Sequence, residues 1–289
     1  MADFTRLSII IPCYNYADFV SKAISSALKQ SHKPAKIIII NDGSTDNSLE
    51  EINKLKDNSL VEVIDKPNEG VIATKNLGIS LSKTYWTMFL DADDYIDEDT
   101  LKIMLRSVKS DGMVDVTYSD MRLFGAASDI FRARPFQPYG FLFQNFINNT
   151  TLINTTMLKR SGGYKQEMSD GLEDWELYIT LFEQGARFRY ISQALVWYRQ
   201  HASGQNSRNQ ETLDSERSQT LLSHLKALHP RLYKRYGKKQ RILRSLVMLT
   251  YIPVRHPGVV LVVCRSIPSA IIQGLRHILH NVKIYLNSK

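Results

Sequence analysis

Asp91, Asp93 and Asp94 follow directly on an apolar run, in the stretch Phe89-Leu90-Asp91-Ala92-Asp93-Asp94. Two carboxylates one residue apart, in a loop that turns, can share a divalent cation through their oxygens. Mg²⁺ and Mn²⁺ suit such ligands and take diphosphate oxygens on their remaining positions. The competing reading is a solvated acidic turn that caps the next helix. That reading is preferred for Asp97, Glu98 and Asp99, with Asp97 as N-cap ahead of the apolar segment 101–105. For Asp91 and Asp93 the place at the end of a buried run favours cation and nucleotide binding.

Other polar clusters also follow apolar runs. Pro12-Cys13-Tyr14-Asn15 ends the first run, and Asn41-Asp42-Gly43-Ser44 ends the second. Gly43 permits a left-handed turn, and Asp42 can accept hydrogen bonds from a base or a ribose. Asn68-Glu69-Gly70 opens a helical pattern that carries Lys75 and Asn76. A glycine at a helix start lets an anion approach closely, and Lys75 could reach a diphosphate. A helical lysine is as readily a solvated one. Gly171-Leu172-Glu173-Asp174-Trp175-Glu176-Leu177 sets carboxylates at the start of another helix. Successive helical residues diverge by about 100°, so only one of Glu173 and Asp174 is expected to face a shared cleft. Trp197-Tyr198-Arg199-Gln200-His201 offers a cation and an imidazole in what reads as a loop after a strand.

These clusters need elements to position them. Segments 7–11, 36–40, 61–64 and 86–90 are short and rich in β-formers, and the run Ile37-Ile38-Ile39-Ile40 suits a strand buried on both faces. Between them, Phe19, Val20, Ala23, Ile24, Ala27 and Leu28 trace an apolar stripe at helical spacing. Segments 46–55 and 70–81 can do the same. The alternation predicts βαβ units that close right-handed into a mostly parallel, doubly wound sheet sandwiched by helices. In such a sheet ligands bind beyond the carboxyl ends of the strands, so the three polar loops should meet on one edge. Further on, 114–118 reads as a strand, 121–160 as irregular, 171–182 as a helix and 194–198 as a strand. Residues 202–216 read as a polar linker.

Length and composition agree with a globular α/β protein. The 289 residues can bury a full core, and 43% hydrophobic with 23% charged residues rules out disorder, collagen and coiled coil. Cys13 and Cys264 are the two cysteines. They cannot form a cysteine zinc cluster, and a reducing cytoplasm is the expected location. Charge is distributed unevenly. No Asp or Glu follows Glu216, while 14 of the 37 Lys and Arg lie in 217–289. The rest of the chain therefore holds 23 basic against 29 acidic side chains, a net of −6. A basic tail on an acidic body points to an anionic partner. Neither GxGxxG nor GxxxxGK[ST] follows any strand, which excludes dehydrogenase and P-loop chemistry.

Taken in order, these stretches resemble the large second family of inverting nucleotide-sugar glycosyltransferases, with the GT-A fold. The matching residues are Ser8-Ile9-Ile10-Ile11-Pro12-Cys13-Tyr14-Asn15, Ile40-Asn41-Asp42-Gly43-Ser44-Thr45-Asp46, Asn68-Glu69-Gly70 with Asn76-Leu77-Gly78, Phe89-Leu90-Asp91-Ala92-Asp93-Asp94, and Glu173-Asp174-Trp175-Glu176-Leu177. Each is weak alone; in this order, across about two thirds of the chain, they are specific.

The resemblance implies a role for each position. Pro12, Tyr14 and Asp42 would line the base pocket, with Asp42 bonding a uracil edge. Asn15, Gly43, Asn68, Gly70 and Ala92 would complete the donor-binding set. Asp91 would sit near the ribose and a divalent metal (Mn²⁺ or Mg²⁺), Asp93 would ligate that metal, and His201 would be a third metal or diphosphate contact. Asp174 would be the general base. Lys75 stands where relatives often carry Arg, so it keeps the charge and loses the bidentate fork.

The implied enzyme moves a sugar from a nucleotide-diphosphate sugar, UDP ahead of GDP or dTDP, to a hydroxyl of a saccharide or lipid-linked acceptor in cell-surface polysaccharide synthesis. A non-catalytic nucleotide- or carbohydrate-binding homologue is the alternative. The expected domains are 1–215 (nucleotide half 1–105, acceptor half 106–215) and a basic helical C-terminal extension, 216–289. The apolar stretches 246–254 and 259–264, flanked by arginines, are too short to span a bilayer and suggest interfacial helices on an anionic leaflet. Packing on the body or dimerisation is the other reading of the tail. The expected location is therefore cytoplasmic and peripheral at the inner face of the cell membrane. No nucleic acid is expected, since no nucleic-acid motif accompanies the basic residues.

Overall fold

The structure, a computed structural model, describes residues 6–109, 114–201 and 216–236. Strands form where β-branched residues run together. β1 (Leu7–Cys13), β2 (Lys36–Asp42), β3 (Val61–Lys66) and β4 (Trp86–Phe89) pair in parallel, in spatial order β3-β2-β1-β4. Alternation sorts their side chains. Ile9, Ile11, Ile37 and Ile39 enter a core shared with Val20, Ala23, Ile24 and Ala27 of α1 (Ala17–Leu28). Ile10 points the other way, onto α3 (Gly70–Leu81). There Gly78 is required, because a Cβ at that position would lie 2.5 Å from Ile10 Cγ2. Both faces of these strands are thus buried, which is why they read as continuous apolar runs rather than alternating ones.

α1 and α3 match the predicted stripes. α2 (Ser48–Asn53) is shorter than the 46–55 expected. Asp46 lies outside it, where its carboxylate accepts from the backbone N–H of Ser48 at 2.9 Å and of Ala17 at 3.1 Å. That local hydrogen bonding competes with helix, as Asp does near helix starts.

The second half departs further from expectation. β5 (Tyr95–Ile96) and α4 (Thr100–Lys109) precede β6 (Val116–Gly125), β7 (Asp129–Phe131), α5 (Pro138–Phe141), β8 (Leu152–Asn154) and α6 (Thr155–Arg160). α7 (Glu173–Glu183), β9 (Phe188–Gln200) and α8 (Glu216–Leu228) complete the described chain. The sheet continues β4-β8-β6-β9-β5, with β7 beside β6. β8 is antiparallel to both β4 and β6, and β5 to β9, so only the first half is purely parallel. Residues 121–160, expected to be irregular, hold the end of β6 and two strands of three residues each. Three residues are too few to show a period. β9 also outruns the predicted 194–198, because β6 pairs with it from Val116↔Phe188 to Gly125↔Gln200 through a bulge at Asp120. Arg199 and Gln200, expected in the loop after that strand, are therefore strand residues. The Asp97 carboxylate, expected to cap α4, accepts the Trp197 indole N–H at 2.7 Å, while the Asp97 carbonyl takes the Thr100 N–H at 3.0 Å.

The backbone clusters into a compact unit Met1–Tyr233 and a second, Lys234–Lys289, of which only 234–236 are described. The expected linker 202–216 lies outside the described residues apart from Glu216, which opens α8. The apolar tail segments and Cys264 lie outside them too. Cys13 is buried and free, and burial pushes its thiol up to about 11. Among the described residues no helix is long and apolar enough to cross a membrane.

Candidate active site

The parallel strands deliver β1, β2 and β4 to the same edge, so the loops after Cys13, Asp42 and Phe89 meet there, as the βαβ reading requires. Asn15 joins two of them. It adopts φ +58°, its Oδ1 accepts the Thr45 N–H at 2.8 Å, and its own N–H donates to Ser44 Oγ at 3.0 Å. Tyr14 is exposed beside it, whereas Ala92 is buried in the core behind the acidic loop.

Asp42 has an internal role that sequence gave no sign of. It is buried, and both its oxygens are engaged. Oδ1 accepts from Lys66 Nζ and from the Glu69 N–H at 2.9 Å; Oδ2 accepts the Gly70 N–H at 2.9 Å. Burial works against its charge, but Lys66 and the backbone donors prevail and hold the carboxyl below its ordinary range. This carboxylate therefore caps the start of α3. Gly43, at φ +66°, allows the approach: a Cβ there would stand 2.6 Å from the Asn68 nitrogen.

Asp91, Asp93 and Asp94 bring carboxylate oxygens within 4.8 Å of one another. Burial pushes Asp91 up to about 7, against Lys75 and with the like charge of Asp93. Asp94 is driven well above its ordinary value by burial and by Asp93 and Asp91. Asp94 Oδ2 is buried with no hydrogen-bond partner. Crowded, desolvated carboxylates with an unpaired buried oxygen fit a hard divalent cation, whose charge would reverse the cause of both shifts. His201 Nε2 lies 2.7 Å from Asp93 Oδ2, so sequence and structure place it at the same cluster.

What sets the acidic loop is β9. Pairing of Tyr95 with Trp197 and Ile96 with Val196 carries Arg199 alongside Asp93 and Asp94. The Arg199 N–H donates to Asp94 Oδ1 at 2.8 Å and its Nε to the Asp93 carbonyl at 3.2 Å. Its guanidinium lies over the rings of Phe19 and Phe124, 4.1 and 4.6 Å from their centroids. On the other side, Asn149 Nδ2 donates to Asp91 Oδ2. Sequence offered Arg199 only as a loop cation and Asn149 only as the start of an N-x-[ST] match without meaning in a cytoplasmic protein. Two residues before His201 was a signal for the first; the second sits in a stretch with no period to read.

Lys75, Glu173 and Asp174 form the second charged group. Lys75 Nζ donates to Glu173 Oε1 and to Asp174 Oδ1, each at 3.1 Å, and the lysine is 2% exposed. Both carboxylates therefore reach one cation, against the expectation that only one could face a shared cleft. The 100° between successive helical residues constrains the Cβ directions, but not the carboxylates at the ends of side chains of different length, and both end 3.1 Å from Nζ. Burial works against the Lys75 charge, yet Asp174, Glu173 and Asp91 together raise it well above its ordinary value. Burial raises Asp174, with Glu173 adding to the shift and Lys75 opposing it. Glu173 is also penalised by burial, but Lys75 holds it below its ordinary value. Lys75 is thus a buried ammonium paired with two carboxylates, and not the solvated lysine of an exposed helix face. Asp91 feels both Lys75 and Asp174, so the two charged groups share one field.

Residues 8–163 match the family described as Glycosyl transferase family 2. The chain is 28% identical over 218 residues to a chondroitin synthase of Pasteurella multocida, covering 70% of this chain and 21% of that protein. It spans about a fifth of the length of these first curated relatives. It is also 27% identical over 201 residues to the UDP-Glc:alpha-D-GlcNAc-diphosphoundecaprenol beta-1,3-glucosyltransferase of Escherichia coli, covering 68% of this chain and 78% of that one. Among solved structures, S. aureus TarS 1-349 in complex with UDP-GlcNAc superposes with a TM-score of 0.59 at 19% identity, over 80% of this chain and 73% of that chain. The GT-A fold is therefore shared.

Proposed function

The chain belongs to glycosyl transferase family 2, and we propose that it transfers a sugar from a UDP-sugar, with inversion, to a hydroxyl of a saccharide or lipid-linked saccharide in bacterial polysaccharide or glycolipid synthesis. One observation carries the reading. The carboxylates of the acidic loop and those at the head of α7 lie close enough to act on each other's charge, through Lys75, on the ligand-binding edge of the sheet. A donor and a base must meet at just such a place. The names of the relatives support a UDP-sugar donor and, in the Escherichia coli protein, a diphosphoundecaprenol-linked acceptor.

In this reading Pro12, Tyr14, Asn15, Asp42 and Gly43 bind the nucleoside, with Asn68 and Gly70 beside it. Asp91 and the backbone at Ala92, whose methyl lies in the core, meet the ribose and diphosphate. Asp91, Asp93 and His201 would hold Mn²⁺ or Mg²⁺, which supplies charge neutralisation for the departing diphosphate. Asp174 accepts the proton of the acceptor hydroxyl as its oxygen attacks the anomeric carbon from the face opposite the leaving group. The bond from that carbon to the diphosphate oxygen breaks, which inverts the centre. One base suffices for such a displacement, and it is worth roughly 10² to 10⁴ in rate. Its raised affinity for a proton, set by burial, suits the task. Residues 1–105 serve the nucleotide, 106–215 the acceptor, and the basic segment 217–289 holds the protein against anionic lipid at the inner membrane face.

The experiment is titration calorimetry of UDP, GDP and dTDP with Mn²⁺, Mg²⁺ or EDTA, on wild type and Asp93→Ala, followed by assay of sugar release from the nucleotide that binds. Metal-dependent UDP binding, lost in the variant, supports the donor site. A folded protein that binds none of the three overturns it. Binding without transfer to any saccharide or lipid-linked acceptor favours the non-catalytic homologue.

A further inference from the structure

Lys75 is fully withdrawn from water and meets two carboxylates at adjacent positions of one helix, Glu173 and Asp174, at equal distances of 3.1 Å. The ring of Tyr164 covers it from another side, its centroid 4.8 Å from Nζ. A buried ammonium needs one counter-charge; this one has two on hydrogen bonds. Burying a second carboxylate is costly unless it does something.

We propose that Lys75 and Glu173 are the positioning pair of the base Asp174, and that Glu173 is the counter-ion that stays when Asp174 takes up a proton. This rests on the assignment of Asp174 as the base. With a single carboxylate on Lys75, protonating it during transfer would leave a buried ammonium unpaired, the costly state for an ion pair in the interior. With two, the acceptor proton goes to Asp174 while Glu173 keeps Lys75 paired. The acceptor oxygen gains its bond to the anomeric carbon, and the diphosphate leaves with the electron pair of the bond that breaks. Asp174 then loses its proton to solvent, and the triad returns to its resting charge. Lys75 also fixes the direction of the Asp174 carboxylate by tying its Oδ1 to Nζ.

The test compares Lys75→Met, Lys75→Arg and Glu173→Gln with wild type, reading UDP affinity by calorimetry with Mn²⁺ and, separately, kcat and the donor KM. Lys75→Met is expected to lower kcat about 100-fold while UDP affinity stays within about threefold. Lys75→Arg restores most of kcat, because charge and donors are kept. Glu173→Gln lowers kcat at least tenfold with UDP affinity unchanged, and it keeps the inference testable should Lys75→Met fail to fold. A tenfold or larger loss of UDP affinity in Lys75→Met with kcat retained at saturating donor would make Lys75 a diphosphate contact and overturn the pairing. Wild-type kcat in Glu173→Gln would overturn the counter-ion role. If wild type binds UDP but transfers nothing, the base assignment itself fails, an outcome distinct from both.

Discussion

Asp93 and His201 stand 108 positions apart in the chain, yet Asp93 Oδ2 and His201 Nε2 are 2.7 Å apart. The short antiparallel pairing of β5 with β9 makes the meeting, because it aligns the end of β9 with the acidic loop just before β5. If the two residues share a cation, they act as a unit. Asp93→Ala and His201→Ala should each weaken Mn²⁺-dependent UDP binding by at least tenfold, and the double variant should lose less than the sum of the two in free energy. Calorimetry with and without EDTA reads this. Additive losses would mean that the residues work separately.

Asp174→Asn removes the proposed proton acceptor and keeps the shape. It should lower kcat by about 10² to 10⁴ while leaving UDP affinity unchanged. In wild type the base must be ionised to work, and burial raises its proton affinity. The acidic limb of the kcat profile should therefore lie above the ordinary aspartate value of 3.8. A limb at or below that value would assign the base elsewhere.

Gly43→Ala tests the cradle under the proposed base pocket. At φ +66° the added Cβ meets strain, and its place 2.6 Å from the Asn68 nitrogen forces the Pro67-Asn68 backbone away. Stability should fall by about 1 to 3 kcal/mol, and UDP affinity should fall with it as the start of α3 shifts. Thermal melting and calorimetry measure the two effects. Unchanged melting would mean that the loop moves freely.

His229 ties the segment after α8 to α7. It is 3% exposed, with Nε2 3.1 Å from Glu176 Oε1 and Nδ1 2.9 Å from Glu183 Oε2. Burial opposes its charge, but the two glutamates prevail and raise its value above the ordinary 6.5. A raised value means that the pairing stabilises fully below 6.5 and fades as pH rises through the folded value. Melting temperature should therefore decline from neutral pH upward in wild type. His229→Gln should flatten that decline and cost about 3 kcal/mol at pH 6, at the low end for a broken buried pair because Glu183 is 38% exposed. A variant with the wild-type pH profile would remove His229 from the account.

The sequence alone determined the parallel half of the sheet and the edge on which its loops meet. Runs such as Ile37 to Ile40 suit a strand buried on both faces, as these residues prove to be, and chain order with right-handed crossovers then fixes where each strand ends. The places of Asp42, Asp91, Asp93 and Asp174 in the fold were legible because they end or follow such strands or open a helix, positions that local pattern defines. The tertiary structure decided everything that depends on residues far apart meeting. β7 and β8 are too short to carry a period and exist because β6 and β4 offer them an edge. Pairing of β5 with β9 set Arg199 on the acidic loop, and the meeting of Lys75 on α3 with the first residues of α7 turned it from a helical lysine into the shared partner of Glu173 and Asp174. Periodicity reports the direction in which a side chain leaves its own backbone; only packing decides which charge it meets, because that depends on the free energy of burying the two together.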